Sequence, residues 1–260
     1  MIQILLWAPL AAGLLACTAP RLSSGWVALL GPLVSLAMAI AIVAGFDPSG
    51  GLQHSVDESW IPTLGVRYQL AVDGISLFLV LLTAVLWLAT TLWSAINLPE
   101  RPRTYFLMFG LAETAVLGAF LAQDLILFVL FFDLMLIPFY FLFGSWGTEH
   151  PGRPEEGEGP IRPQPAVIKM IVYTLVGSLL MLAAAVATGI TADAGPQGET
   201  SFSMSALAQA PIGDSAQRWI FVAFALAFLI KMPSFPFHGW MPDGYRNMPL
   251  PVLAVFSGVL

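Results

Sequence analysis

The chain has one cysteine, Cys17, in 260 residues. A lone cysteine excludes an internal disulfide and a zinc cluster, and Cys17 reads as a small apolar helix residue. Charge is also scarce. Only 10% of residues are Asp, Glu, Lys or Arg, against about 25% in soluble proteins. Ten basic residues face sixteen acidic ones, which excludes a cationic nucleic-acid surface. There is no P-loop, no Rossmann glycine pattern, no CxxC and no HExxH, and no redox cofactor has evident ligands. What remains is apolar: 58% of residues are hydrophobic and mean hydropathy is +0.82. This is the composition of a membrane protein. The opening "MIQILLWAPLAAGLLACTAP" has no basic residue before Arg21, so it reads as a retained helix and not as a signal peptide.

A membrane-spanning helix needs about 20 mostly apolar residues. Such runs occur near 2–20, 26–45, 71–96, 104–122, 125–146, 166–190 and 218–240, and an eighth begins near 250. The expected fold is therefore an all-α, polytopic transmembrane helical bundle with about seven complete spans and the start of an eighth. Because the last run stops at Leu260 soon after it begins, the chain is expected to be a fragment. Loop residues separate the runs. "FDPSGGLQHSVDESWIPTLG" joins the second and third, and the acidic "GTEHPGRPEEGEGPIRPQP" joins the fifth and sixth. "SFSMSALAQA", before the seventh, is read as a short surface helix. The connections after runs one, three and five hold Arg21, Arg101, Arg103, Arg153 and Arg162, while those after two, four and six hold Arg67 and Arg218. The odd-numbered connections should then be cytoplasmic and the N-terminus outside.

Three ionisable residues sit deep in apolar runs: Glu113, Asp133 and Lys231. Each costs about 2.5–3.5 kcal/mol at a helix centre, and each of the many Leu, Ile, Phe and Val residues around Asp133 returns roughly 0.3–0.6 kcal/mol. Insertion still wins, so Asp133 should face protein or water and not lipid. Runs four and five join near Gln123, which places Glu113 and Asp133 each about 15 Å from the turn, near the midplane. Lys231 lies about 20 Å beyond Arg218, at a similar depth. Such a group of charges fits either a static buried ion pair or a proton relay, in which partners shift one another's protonation.

The seventh run is broken by proline. In "LIKMPSFPFHGWMPDGYRNMPLP", Pro233 and Pro236 cannot donate to the carbonyls of Leu229 and Met232, which should be left free beside Lys231. Broken helices at membrane depth are either plain kinks or the ion sites of transporters. His238 would share a face with Lys231 if the helix continued; it is either a relay member or a satisfied polar group. Lys169, one turn into the sixth run, either snorkels to the surface or joins the relay. Asp73, Asp124 and Asp243 stand at helix ends, where capping or solvation accounts for them.

These residues carry a resemblance. "VDGISLFLVLLTA" (72–84), "FLAQDLILFVLFFDLMLIPFYFLFGSWG" (120–147), "KMIVYTLVGSLLML" (169–182) and "IKMPSFPFHGWMPD" (230–243) are similar, in order, to segments of the antiporter-like membrane subunits of proton-pumping NADH:quinone oxidoreductase, respiratory complex I. The stretch after Asp124 resembles the chain M type most. The resemblance implies three N-terminal helices over 1–103, then a first five-helix repeat over 104–260, incomplete at its end because family chains are about twice as long. It implies that Asp133 and Lys231 are the proton-handling pair, with Lys169, His238 and Glu113 as further relay positions. It implies no cofactor in this chain, and NADH, flavin, iron–sulfur clusters and quinone in partner subunits. The implied partners are the other membrane-arm subunits, in the cell inner (plasma) membrane. Two departures stand out. The family's usual glutamate is Asp133 here, whose carboxylate reaches about 1.5 Å less far, where site geometry is set to about an ångström; a water or a bend of Lys231 could close the gap. The acidic loop at 149–165 looks like an insertion. Two other readings share part of the pattern: a subunit of a multi-chain sodium/proton antiporter, and a truncated, non-pumping scaffold of the membrane arm.

Overall fold

The computed structural model describes residues 1–149, 163–192 and 200–259. Most of the expected acidic insertion at 149–165 therefore lies outside the described residues. The fold is mostly helical. The helices are α1 (Ile2–Thr18), α2 (Ser24–Ala28), α3 (Leu30–Ala44), α4 (Gly74–Ile96), α5 (Pro102–Leu121), α6 (Leu125–Leu134), α7 (Leu136–Trp146), α8 (Pro163–Ala192), α9 (Met204–Leu207), α10 (Asp214–Lys231), α11 (Met241–Asn247) and α12 (Leu250–Val259). Five segments are long and apolar enough to cross a membrane: Ser24–Ala44, Gly74–Ile96, Pro102–Leu121, Leu125–Trp146 and Pro163–Ala192. The expected first run, α1, has 17 residues, and α10 carries Asp214, Arg218 and Lys231 within 18.

Proline explains where these helices break. A proline cannot donate to the carbonyl four residues earlier. Accordingly, α2 ends at Ala28, four before Pro32, and α6 ends at Leu134, four before Pro138. Pro9 similarly leaves the carbonyl of Leu5 without its helical donor, and the buried Ser35 hydroxyl of α3 takes that carbonyl at 3.0 Å. Small residues let the helices approach closely. A Cβ on Gly110 of α5 would stand 2.4 Å from the Pro9 carbonyl oxygen, and one on Gly13 of α1 3.1 Å from that of Phe106. Beside this contact, Trp87 of α4 is buried and donates to the Phe109 carbonyl at 3.1 Å.

The all-α expectation needs one correction. The connection before α4 is an antiparallel hairpin of β1 (Gln53–Ile61) and β2 (Val66–Val72). The third run thus starts at Gly74 and not at 71, because 71–72 are strand and Asp73 caps the helix, accepting from the N–H groups of Ile75 and Ser76. Those bonds hold the Asp73 carboxyl below its ordinary pKa. Strand β2 continues into the α5–α6 turn, where Gln123 N–H donates to the Gln69 carbonyl at 2.8 Å. The segment before α9 joins from the other side, through Leu125 N–H on Phe202 and Met204 N–H on Gln123. Asp124 ties the junction: it accepts from the N–H groups of Ile126, Leu127 and Arg67. It is fully buried, and burial raises its carboxyl despite those bonds. This small sheet closes one end of the α5–α6 hairpin.

Candidate functional site

The site is built where two broken helices meet. Helix α6 ends at Leu134, one residue after Asp133 and four before Pro138, and α10 stops at Lys231 itself. The proline break expected in the seventh run thus falls at Lys231, and the helix itself stops there and not at 240. After Met232 the chain turns through Pro233 and Pro236 and forms a 3-10 turn over Phe237–Trp240 before α11. The carbonyls expected to be free are also taken. Ser234 N–H donates to Leu229 at 3.1 Å, the Ser234 hydroxyl reaches Met232 at 3.4 Å, and Trp240 Nε1 donates to Ile230 at 3.1 Å. The break satisfies its own backbone, as membrane depth requires.

Lys231 reaches across to α6. Its Nζ lies 3.9 Å from the centroid of the Phe132 ring and 3.5 Å from the Phe132 carbonyl oxygen. The ring's negative face and the carbonyl dipole both favour a cation. No carboxylate comes within ion-pair distance of Lys231 among the described residues. Lys231 opens onto an internal cavity of about 60 Å³, lined by Phe132, Met135, Thr174, Trp240 and Tyr245 among others. That volume has room for a few waters, each needing at least about 10–15 Å³ of such space.

Asp133 is the next residue along from Phe132, but it faces elsewhere. It lines an open groove of about 430 Å³ between α7 and α8, with Ile137, Tyr140, Ile171 and Leu175. Its buried Oδ1 has no hydrogen-bond partner among the described residues. Leu136 lines both spaces. The α6–α7 junction thus stands between an acid on one side and a lysine on the other.

Glu113 lies deeper still. It is fully buried in α5, and neither carboxyl oxygen has a partner among the described residues. Gly118 of α5 faces the Phe131 ring of α6, and this register puts Glu113 within about one helical turn of the Asp133 level. No hydrogen bond or ion pair links the two.

The remaining expected members lie apart from this centre. Lys169 forms an ion pair with Asp243 of α11 at 2.8 Å, with both side chains partly exposed. His238 is exposed and packs on Phe235 at 5.8 Å between ring centroids. The helix ends seven residues before it, so it does not share a helical face with Lys231. Phe132, Thr174, Trp240 and Tyr245 were not anticipated as neighbours of Lys231. Nothing in the local sequence marks them, because the contact spans four elements. Asp243 as the partner of Lys169 is likewise a long-range pairing. Among the described residues no three Asp, Glu, His or Cys side chains are placed to hold a metal ion.

The profile of the NADH:quinone oxidoreductase/Mrp antiporter transmembrane family matches residues 122–260. Over the whole chain, the sequence is 33% identical to NADH-quinone oxidoreductase subunit M of Rhodobacter capsulatus and covers 51% of that protein. It is 31% identical to the Escherichia coli K12 subunit M, over 90% of this chain and 46% of that one. Among solved structures, respiratory complex I from Thermus thermophilus with bound NADH contains a chain similar over 99% of this one and 50% of its own length, at 27% identity and a TM-score of 0.81. The chain spans about half the length of the curated relatives it matches.

Proposed function

The chain belongs to the NADH:quinone oxidoreductase/Mrp antiporter transmembrane family, and from that premise we propose that it serves as an M-type, proton-translocating membrane subunit of an NADH:quinone oxidoreductase. Electron transfer through NADH, flavin, iron–sulfur clusters and quinone belongs to partner subunits in this reading. The observation that carries the proposal is Lys231, a lysine held at the broken end of α10 beside a small cavity, with no ion-paired carboxylate to fix its charge.

In the proposed mechanism Lys231 accepts and releases the proton. Its charged form is stabilised by the Phe132 ring and carbonyl. Asp133 acts through its field across the α6–α7 junction, so a change in its protonation biases that of Lys231. A few waters in the 60 Å³ cavity would carry the proton to and from Nζ. Glu113, buried and unpartnered, is a second proton-holding position at nearly the same depth. Lys169 and His238 belong nearer the ends of the path, with Asp243 setting the position of Lys169. The seven-span arrangement follows if α1 and α10 also cross, and the basic connections then place the N-terminus outside.

The family also contains Mrp antiporters, so a sodium/proton antiporter subunit is the second reading. Purification of the native complex through this chain, followed by mass spectrometry, separates the two. NADH dehydrogenase subunits are expected to co-purify. Antiporter chains in their place would overturn the proposal.

A further inference from the structure

At the membrane end opposite the small sheet, three arginines converge on one pocket. Arg21, Arg101 and Arg103, with Glu100, Pro102 and Thr104, line an open space of about 590 Å³ where α1 ends and α5 begins. None of the three guanidinium groups is paired with a carboxylate among the described residues. Two of them are instead held by neutral groups. Arg103 donates through Nε to the Ala19 carbonyl at 2.9 Å. Arg101 lies over the Trp146 ring at 5.4 Å and reaches the Ser145 carbonyl at 3.5 Å. Among the described residues these contacts leave most of the Arg101 and Arg103 guanidinium donors free, and no hydrogen bond or ion pair uses those of Arg21. Glu100 offsets one of the three charges.

The surroundings are apolar and face outward. Gly25 of α2 packs directly on Ala95 and Phe106, which sets α2 against the end of α4 and the start of α5. Leu22 is 78% exposed, Trp26 52% and Trp93 54%. Tryptophan concentrates at the headgroup level of a bilayer, and basic pockets between membrane helices suit anionic headgroups. We propose that this pocket binds the phosphate headgroup of an anionic phospholipid, with its acyl chains on the exposed face of α2. Guanidinium groups match phosphate oxygens in pairs. The exposed Leu22, next to Arg21, and the exposed Trp26 of α2 favour a lipid over a free phosphate. The inference does not depend on the proton-handling role proposed above.

The test is native mass spectrometry of the full chain in its complex, released from nanodiscs of equal phosphatidylglycerol and phosphatidylcholine. The wild type is expected to retain phosphatidylglycerol preferentially. Each of Arg21→Gln, Arg101→Gln and Arg103→Gln should weaken retention about five-fold, since a basic residue near the surface is worth about 1 kcal/mol. Glu100→Gln should strengthen retention by a similar factor, a gain that misfolding cannot mimic. Equal retention of the two lipids, or no change in any of the four variants, would overturn the inference. So would displacement of phosphatidylglycerol by inorganic phosphate, which would make this a free-phosphate site.

Discussion

Lys231 is held by an aromatic ring and a carbonyl and not by an acid, and this choice of partners bears on what it can do. A close buried ion pair fixes the charge of both members, and breaking one costs about 3–5 kcal/mol. The contacts to Phe132 favour the charged lysine without engaging the Asp133 carboxylate. Elsewhere single acids have plain structural roles. Asp73 caps α4 and its carboxyl sits below the ordinary value of 3.8, chiefly because the Ser76 N–H donates to it. A depressed folded-state pKa contributes stability above the unfolded value and loses it as pH falls through the folded one. Asp73→Ala should therefore cost about 1 kcal/mol near neutral pH, and the gap should close below roughly pH 4. Thermal unfolding in detergent across that range would check it; a gap independent of pH would contradict the charged-cap account.

At the level of elements, proline decides where the helices break and neighbouring donors decide whether a break is tolerated. Ser35 supplies the donor that Pro9 cannot, and Ser234 and Trp240 do the same around α10. Ser35→Ala should cost about 1–3 kcal/mol by leaving the buried Leu5 carbonyl unpaired, measured as the loss of unfolding free energy in detergent. A cost near zero would mean that the carbonyl has another partner. The helices were legible in the sequence because apolar length and proline spacing are local properties. The break at Lys231 was legible for the same reason. The hairpin over 53–72 was hidden: β1 is largely polar and exposed, so it shows no buried alternation, and Pro62 and Gly65 read as loop punctuation when they form its turn. The self-satisfied carbonyls, the Phe132 contact and the Lys169–Asp243 pair were also invisible. Each joins residues whose proximity is set by helix rotation or by a chain reversal, and periodicity encodes neither.

Across the whole molecule, the two ends differ in kind. One is closed by backbone pairing among β2, the α5–α6 turn and the segment before α9, with Asp124 sealed inside. The other carries the arginine pocket and the Lys169–Asp243 pair. Between them lie Glu113, Asp133 and Lys231, brought to similar depth but not into contact. Proton movement through such a set needs water or side-chain motion across the α6–α7 junction, and Lys231 is the member with a cavity beside it. The most direct measurement is the proton-to-electron ratio of the assembled complex in vesicles carrying Lys231→Ala, with NADH oxidation by an artificial acceptor measured in parallel to show that the redox arm is intact. The account predicts retained oxidation with a lowered ratio. An unchanged ratio in a fully assembled complex would contradict it.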